Sequence, residues 1–452
     1  MWQKMSDIKL FIETLGCPKN FNDSECAAGI WENAGMSITE NPASADAIMI
    51  NTCGFIGDAK KESIDTIFSY IRLADEIAAD GREKPFICVT GCLSQRYSDE
   101  LAEEIPEVDL FIGVNEYEKL PKLISEGKDR VCVSCASDGF DEFSARKLAD
   151  STYTATLRVA EGCNNRCAYC VIPSIRGSYR SRKKENILAE AEDLAQQGVK
   201  ELILIAQDVT EYGRDLYGKP ALPELLRDLC RVDGIRWIRL MYCYEDKITD
   251  ELIEVMSDEE KICHYIDIPL QHVSDRVLRS MRRRSTKASI EDTIGRLRNA
   301  IPDIHIRTTF ITGFPGETEE EFAELSAFAG EMELERLGVF PYSREEGTPA
   351  GDMEDQIDDE VKMIRADEIM RHQVDISRKV NEAKVGTLQE VIIDGQDEEG
   401  AYIGRTRYDA PEIDNSVIVS SETDLQPGDL IKARITDAFD YDLVAEYVSR
   451  ID

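Results

Sequence analysis

The chain has few basic residues, few histidines and no long hydrophobic run. Its 452 residues contain 53 Lys and Arg against 89 Asp and Glu, with 4 His, and the formal net charge is −36. Proteins that hold nucleic acid by its phosphates depend on Lys and Arg to displace counterions. This charge therefore disfavours a phosphate-binding role and favours a basic partner, unless local basic patches override the overall balance.

The lack of long apolar runs bears on the cellular location of the protein. No run approaches the roughly 18 apolar residues that span a bilayer, and residues 1–7 carry no apolar signal segment. We therefore expect a cytoplasmic protein that does not engage a membrane. The length exceeds the size at which a single hydrophobic core stops growing, so two or three domains are expected.

The 13 cysteines argue for reduced thiols or metal ligation, because the chain has no short secreted framework that would suggest disulfides. Three of them, Cys163, Cys167 and Cys170, form a CxxxCxxC motif. Cysteine thiolates are the usual ligands of a 4Fe-4S cluster, so three thiolates leave one iron open, and open metal sites are where chemistry takes place. The alternatives are a zinc knuckle, which would need two further Cys or His, and a loop of free thiols.

The amino-terminal region, 8–126, contains three apolar runs of strand type at 8–17, 47–54 and 86–92. Each ends on a cysteine in a glycine-containing turn and is followed by a helix-like segment, which predicts a parallel α/β sheet. The carboxyl ends of such strands share one edge, where ligands bind. We therefore expect Cys17, Cys53 and Cys92 to converge and to hold a second iron-sulfur cluster; the alternative for each is a small buried thiol.

The other cysteines do not share these patterns. Cys132 and Cys135 have the CxxC spacing of a redox or zinc pair, but they lie in a connector with no second pair nearby, so no role is predicted for them. Those inside predicted helices or strands are expected to be packing residues: Cys26, Cys88, Cys230, Cys243 and Cys263.

The central region, 149–380, alternates strand-like and helix-like segments and predicts an incomplete (β/α)6 barrel. The helix-like segments include 185–197, 222–232 and 289–300, and a polar helix at 356–383 leads to the tail. Catalytic groups of such barrels lie in the loops after the strands, and the CxxxCxxC loop follows the first strand. The strand-like runs are 154–160, 201–206, 237–243, 265–270, 305–312 and 336–340.

Polar or glycine residues also follow the later strands, where either ligand contact or simple turn and capping chemistry would explain them. His272 is expected to be structural, because a single histidine is more often a satisfied core residue. Two basic groups, Arg176 with 180–184 and 282–284 with Lys287, suggest contact with an anionic substrate or RNA, or solvated helix ends. The strand-end positions are Gln207, Asp208, Glu245, Gln271 and 313–317.

The carboxyl-terminal region, 382–451, switches to an alternating pattern of short strands separated by turn residues. Five such strands in about seventy residues predict a small antiparallel β-barrel of the OB type. Residues 381–452 contain 6 Lys or Arg against 17 Asp or Glu. Direct RNA binding by this acidic tail is therefore disfavoured, and docking of a basic protein is favoured. The predicted strands are 388–393, 401–406, 416–419, 430–436 and 443–448.

With these features in this order, the sequence resembles the methylthiotransferase branch of the radical S-adenosylmethionine (SAM) enzymes over nearly its whole length. The small terminal barrel is known in that family as a TRAM domain, and Leu-Gly-Cys-Pro-Lys-Asn at 15–20 is a family hallmark. The stretches 306–310 and 342–349 are similar to those members that methylthiolate the β-carbon of an aspartate in a small-subunit ribosomal protein.

The resemblance implies an enzyme with two 4Fe-4S clusters that uses SAM as both radical source and methyl donor. Cys163, Cys167 and Cys170 would hold the cluster that binds SAM and generates a 5′-deoxyadenosyl radical. The auxiliary cluster, which carries the sulfur to be methylated, would be held by the second set of cysteines: Cys17, Cys53 and Cys92. None of these six positions departs from the family pattern.

The resemblance also implies roles outside the cysteines. Tyr169 would lie near the adenine of SAM, and Gln207, Asp208 and Gly313 are further candidates for cofactor or substrate contact. A basic small-subunit ribosomal protein is the implied substrate, and a reductase or flavodoxin-type protein is the implied electron donor. One alternative is methylthiolation of a tRNA adenosine, which would need a positive face on the terminal barrel; another is a non-catalytic iron-sulfur or ribosome-associated binding protein.

Overall fold

The computed structural model describes residues 8–127, 130–135, 146–148 and 152–451. The chain forms two compact units. The first takes its described residues from 1–150, 160–186 and 343–351, and the second takes 151–159, 187–342 and 352–452. All six predicted ligand cysteines therefore belong to the first unit. The domain boundaries expected from the sequence, 8–126, 149–380 and 382–451, stay a prediction.

The first unit is built on a six-stranded, wholly parallel sheet with the strand order β2-β1-β3-β4-β5-β6. The strands are β1 Lys9–Thr14, β2 Ser37–Ile38, β3 Ala47–Thr52, β4 Phe86–Gly91, β5 Leu110–Ile112 and β6 Val131–Cys132. The helices are α1 Pro18–Asn33, α2 Gly57–Ala79, α3 Cys92–Glu104 and α4 Leu120–Glu126. The predicted parallel α/β sheet is confirmed, with β2, β5 and β6 as strands that the sequence pattern did not indicate.

Helices cover both faces of this sheet, which is why β3 reads as an unbroken apolar run. Ala47 and Met49 pack on one face with Trp31 of α1. Ile48 and Ile50 pack on the other face, against α2 and α3. A strand buried on both faces loses the alternation of a half-buried strand.

A second parallel sheet, in the second unit, runs in the order β14-β13-β12-β11-β10-β7. Every neighbouring pair is parallel, which confirms the incomplete six-stranded arrangement expected from the sequence. The strands of this sheet are β7 Thr154–Arg158, β10 Glu201–Ile205, β11 Trp237–Leu240, β12 Ile262–Asp267, β13 His305–Thr312 and β14 Arg336–Pro341. In the first unit, β8 Ala160–Glu161 and β9 Arg180–Ser181 form a separate two-stranded ribbon.

The helices that follow are α5 Ile172–Arg176, α6 Lys184–Gln196, α7 Arg214–Tyr217, α8 Leu222–Leu229, α9 Asp250–Asp258, α10 Asp275–Ser280, α11 Lys287–Ala300, α12 Glu319–Met332 and α13 Asp359–Glu382. Several begin with a side-chain cap. Thr286 and Thr318 both accept from the backbone three residues on, as part of capping boxes that start α11 and α12. None of the helices in the described part of the chain is long and apolar enough to cross a membrane.

The chain ends in a closed barrel with the order β15-β16-β17-β19-β18. Its strands are β15 Leu388–Gln396, β16 Tyr402–Thr406, β17 Val417–Ser420, β18 Leu430–Ala438 and β19 Leu443–Arg450. The five predicted strands are confirmed. The barrel is not wholly antiparallel, however, because β17 and β19 pair in parallel. Pairing of distant strands depends on how the barrel closes, which the alternating pattern of each strand does not report.

Buried ion pairs join this barrel to the amino-terminal ends of the sheet strands in the second unit. Glu201, the first residue of β10, accepts from Nε of Arg239 at 2.9 Å and pairs with Arg405 of β16 at 2.5 Å. Arg336, the first residue of β14, pairs with Asp409 at 2.6 Å. The barrel therefore lies at the end of the sheet opposite the carboxyl ends of its strands.

Lys384, just after α13, is a buried cation that is expected to lower the free energy of unfolding. Its Nζ has no hydrogen-bond partner among the described residues and lies 5.1 Å from the ring centroid of Tyr408. Burial lowers the pKa of Lys384 to about 8 from its ordinary 10.5. We expect Lys384→Met to raise the free energy of unfolding by about 1–2 kcal/mol at pH 7, because the substitution removes a desolvated charge. Thermal or urea denaturation of the metal-free protein measures this gain.

The pH dependence gives the matching control. The unfolded chain holds the Lys384 proton more tightly than the folded chain. The loss of folding stability caused by the buried charge is therefore complete below pH 8 and is relieved as pH rises towards 10.5. The gain from Lys384→Met should therefore shrink between pH 7 and pH 10. Lys379→Met, at an exposed lysine paired with Glu333, should change stability little. A loss of stability in Lys384→Met at pH 7 would contradict the prediction.

Candidate functional site

The turns after three neighbouring strands carry the first cysteine triad, Cys17, Cys53 and Cys92. Cys17 is the cap residue of α1, Cys53 directly follows β3, and Cys92 is the first residue of α3, directly after β4. Because β1, β3 and β4 are adjacent and parallel, their carboxyl ends meet at one edge. The structure thus brings together the three cysteines that are far apart in the sequence.

Two glycines let the turns of this triad approach one another. Gly16 has a φ of +93°, and a Cβ there would lie 2.8 Å from Cβ of Cys53. A Cβ on Gly54 would lie 2.8 Å from the backbone of Leu93. Neither position has room for a side chain. Gly16 is required by the close approach of the Cys53 side chain, and Gly54 by the close approach of the backbone at Leu93.

The thiols of this triad are close enough to influence one another. Burial, together with the neighbouring Cys92 and Cys17 thiols, raises the pKa of Cys53 to about 12. Burial also raises the pKa of Cys92, while Arg176 opposes that change. In the metal-free protein these two thiols are therefore protonated at neutral pH, and binding a metal would release protons.

The second triad lies on the loop between β8 and α5. Cys163 donates its N–H to Gly177 at 3.1 Å, and Cys170 donates its N–H to Cys167 at 3.2 Å. Cys163 and Cys167 are buried, and Cys170 is half-buried. Burial raises the pKa of Cys170, and the thiols of Cys167 and Cys163 add to the effect. The hydrogen-bonded loop thus holds its three thiols near each other.

Each triad has thiols as its donors, which suits the irons of an iron-sulfur cluster. No group of three or more His, Cys, Asp or Glu within the described ranges is arranged to hold one metal ion. A 4Fe-4S cluster does not need such an arrangement, because each thiolate binds a different iron. The donor chemistry fits two such clusters, and the assignment of the six cysteines as ligands stays a prediction.

Two nearly fully buried ion pairs connect the sequence neighbours of the two triads. Lys19, two residues after Cys17, lies 3.0 Å from Glu161, two residues before Cys163. Arg176, the last residue of α5, lies 2.6 Å from Asp23 of α1. The surroundings of the two triads therefore form one buried framework within the first unit.

The burial of Arg176 corrects the interpretation of the basic group that contains it. Its side chain is 2% exposed, so it is neither a solvated helix end nor a free contact for RNA. In the other basic group, Arg283 is also buried, donates to the Pro269 carbonyl at 2.8 Å and stacks on Tyr244. Charge runs in a sequence do not show which member turns inward to meet a buried carboxylate or carbonyl.

Residues 343–351 form ion pairs and hydrogen bonds with α2, the helix after Cys53, and with α3, the helix that begins at Cys92. Glu345 is 2% exposed and pairs with Lys60 of α2 at 2.7 Å and with Arg96 of α3 at 2.9 Å. Tyr97 donates to Glu346 beside them. Ala350 donates its N–H to Ala168, inside the CxxxCxxC loop, at 2.9 Å. The sequence pattern of residues 342–349 resembles the family but carries no signal for these contacts with α2 and α3.

The predicted contacts outside the cysteines have other partners in the structure. Asp208 is buried, and its carboxylate accepts from Lys247 and from Thr210, both at 2.5 Å. Gly313 has a φ of +70° and donates its N–H to Glu317 at 3.0 Å. These contacts explain Asp208 and Gly313 structurally, so their contact with a cofactor stays a prediction.

Three other noted positions are placed as follows. Gln207 follows β10 and is half-buried, and Tyr169 is half-buried between two predicted ligands. Both remain predicted cofactor contacts. His272 is fully buried, accepts from the N–H of Ser274 at 3.0 Å and lies 3.4 Å from Glu317, as a structural histidine would.

The remaining cysteines divide by burial. Cys132 lies in the edge strand β6 and is half-buried, whereas Cys135 is exposed. The five cysteines expected to be packing residues are buried, which confirms that prediction: Cys26, Cys88, Cys230, Cys243 and Cys263.

Three family profiles match successive parts of the chain. The Radical SAM superfamily matches residues 157–329, the Uncharacterized protein family UPF0004 matches 9–113, and the TRAM domain matches 385–448. The TRAM match covers the closed terminal barrel, and the radical SAM match covers most of the second parallel sheet together with the CxxxCxxC loop.

Curated relatives match almost the whole chain. Ribosomal protein uS12 methylthiotransferase RimO of Clostridioides difficile (strain 630) is 46% identical over 97% of this chain and 98% of its own length. The protein of the same name from Geobacter sulfurreducens is 47% identical over 98% and 99%, and that from Thermoanaerobacter sp. (strain X514) is 49% identical over 96% and 99%.

Solved structures share the fold at much lower identity. The radical S-adenosylmethionine methyltransferase TsrM from Kitasatospora setae, with cobalamin and a [4Fe-4S] cluster bound, has a TM-score of 0.56 at 14% identity, covering 76% of this chain and 74% of that one. OxsB, a cobalamin-dependent S-adenosylmethionine radical enzyme, has a TM-score of 0.52 at 14% identity, covering 81% and 57%. At this identity the likeness is one of fold alone.

Proposed function

We propose, because the chain belongs to the RimO family of radical SAM methylthiotransferases, that it adds a methylthio group to the β-carbon of an aspartate in ribosomal protein uS12. The observation that carries the proposal is the pair of thiol triads in one compact unit, each with its thiols close together. A methylthio transfer to an unactivated carbon needs both a hydrogen-abstracting centre and a sulfur-carrying centre.

The residues divide the work between the two triads. Cys163, Cys167 and Cys170 hold one 4Fe-4S cluster, and the first triad, on the sheet edge, holds the other. When bound, these clusters and SAM supply the radical chemistry and the sulfur transfer that no protein side chain can carry out. The protein contributes thiolates and fixed loops. Ion pairs between Lys19 and Glu161 and between Arg176 and Asp23 keep both sets of loops in place.

The assignment to modules follows the same division. Residues 8–126 carry the auxiliary triad, 149–380 form the radical SAM core, and 382–451 form the TRAM barrel. The TRAM barrel carries the excess of acidic residues described above, and an acidic surface favours docking of a basic ribosomal protein over RNA. The working place is the cytoplasm, where ribosomal proteins are available, and the electrons come from a reductase or flavodoxin-type protein.

Mass spectrometry of ribosomal proteins and tRNA from a deletion strain tests the choice of substrate. We expect uS12 to lose its methylthio group completely, with tRNA adenosines unchanged, and an intact copy of the gene to restore the modification. If the tRNA lost its methylthio group and uS12 kept it, the substrate would be wrong. Formation of 5′-deoxyadenosine by the anaerobically reconstituted, reduced protein separates an enzyme from a non-catalytic binding protein.

A further inference from the structure

A buried arginine touches one of the predicted cluster ligands. Nη2 of Arg176 lies 3.5 Å from Sγ of Cys92 and 3.0 Å from Oδ1 of Asn20. Nη1 donates to Asp23 at 2.6 Å. Arg176 ends the short helix α5, which follows the CxxxCxxC loop, whereas Cys92 belongs to the other triad.

The guanidinium group is held in this position from several sides. Asp23 forms an ion pair with it. Asn20 is itself fixed, because its amide donates to the Leu15 carbonyl at 2.8 Å and to the Thr52 carbonyl at 3.1 Å. Those two carbonyls belong to the turns that carry Cys17 and Cys53. The planar fork of arginine therefore links Cys92 to the turns of both other cysteines of its triad.

The chemical effect of this contact follows from the charge on sulfur. Hydrogen bonds to the sulfurs, net charge and solvent exposure set the reduction potential of an iron-sulfur cluster. Reduction adds negative charge, so an N–H group that points at a ligand sulfur stabilises the reduced form more than the oxidised form. Asp23 offsets only part of the arginine charge at Cys92, so the remaining charge and the directional N–H···S contact act in the same direction.

We propose that Arg176 is a positioning residue for the auxiliary cluster: it orients Cys92 and raises the reduction potential of the cluster by donating to the Cys92 sulfur. The proposal rests on the proposed function, since it takes Cys17, Cys53 and Cys92 as ligands. It adds that a residue from the segment of one triad adjusts the electronic properties of the other.

The test uses full-length protein in which Cys163, Cys167 and Cys170 are replaced by alanine, so that the auxiliary cluster alone is reconstituted. In this background, Arg176→Met with Asp23→Asn removes both charges of the pair together. We expect the ratio of reduced to oxidised cluster at a fixed potential to fall roughly tenfold, a shift of about 59 mV to lower potential for a one-electron couple. Redox titration followed by electron paramagnetic resonance measures the shift, and iron analysis checks loading.

Two further variants keep the result interpretable. Lys60→Met removes a cation from α2, the helix after Cys53, whose partner is Glu345, and should leave the potential unchanged. Arg176→Lys keeps the charge but loses the fork, and should lower the potential by a smaller amount. If the double variant Arg176→Met with Asp23→Asn fails to load iron, the reduction potential of Arg176→Lys tests the proposal. A lowered potential in that variant supports it.

Two outcomes are read separately. An unchanged potential in an iron-loaded Arg176 variant would overturn the role of Arg176, as would an equal shift in Lys60→Met. Failure of the background protein itself to bind iron would instead overturn the ligand assignment on which the proposed function depends. The two failures are therefore distinguishable.

Discussion

Alanine substitution of Cys17, Cys53 and Cys92 together is expected to abolish methylthiolation of uS12 while leaving the reductive cleavage of SAM largely intact. The triple variant should bind about four irons per chain where the unmodified protein binds about eight, because one of two 4Fe-4S clusters is lost. The remaining cluster still has its own three thiols and one open iron. Iron analysis, assay of 5′-deoxyadenosine and mass spectrometry of uS12 measure the three quantities on one preparation.

The matched variants for this experiment come from the same chain. Alanine at Cys163, Cys167 and Cys170 should also halve the iron but should abolish both cleavage and methylthiolation. Cys26→Ala, at a buried cysteine of α1 outside both triads, should keep the full iron content and both activities. If SAM cleavage disappeared in the first triple variant with its iron content at about four, the division of labour between the triads would be wrong.

Replacing Glu201 by Gln should strongly destabilise the second unit. Glu201 is fully buried and balances Arg239 and Arg405. Removing the carboxylate takes the buried counter-charge from Arg239 and leaves Arg405 with Asp394, at 3.3 Å, in place of two carboxylates. Breaking a buried pair in this way costs about 3–5 kcal/mol. Urea denaturation followed by circular dichroism should show the loss in the transition of the second unit.

Acid titration supplies an internal check on the Glu201 prediction. Burial raises the pKa of Glu201, but Arg405 and Arg239 outweigh that effect and hold it below its ordinary 4.5. The carboxylate therefore stabilises the fold above pH 4.5, and the stabilisation is lost as pH falls through the lower folded pKa. The difference in the free energy of unfolding between the unmodified protein and Glu201→Gln should therefore shrink as pH falls below 4.5. Glu251→Gln, at an exposed partner of Arg227, should change stability by less than about 1 kcal/mol, and an equal loss there would contradict the argument.

The sequence predicted those parts of the structure that have a local signal. Strands β1, β3 and β4 each combine an apolar run with a Gly-Cys or Cys-Gly turn, so their positions and the convergence of their cysteines followed from parallel topology. Strands β2 and β6 have two residues each, too few to show a period. The parallel pairing of β17 with β19 is a long-range contact and leaves no trace in either strand.

The surroundings of the triads were less accessible to sequence reasoning. Lys19 and Asn20 stood in a recognised motif, yet nothing in the motif named Glu161 as the partner of Lys19. Arg176 stood in a basic stretch that is typical of exposed helix ends. Only the fold brings Lys19 and Arg176 within bonding distance of carboxylates more than a hundred positions away, so their side-chain partners had to come from the structure.

The fastening of α2 and α3 by Glu345 has a consequence for the order in which the protein can be built. One piece of the first unit, 343–351, follows the other two pieces by more than 150 residues. During synthesis, Lys60 and Arg96 leave the ribosome long before Glu345, and until then their cations have no such counter-charge. Domains that are contiguous in the chain fold as they emerge, but this unit cannot be complete until residue 351 has been made. The surroundings of both cysteine triads are therefore complete only after residues 187–342 have been synthesised, and these residues include five of the six strands of the second parallel sheet.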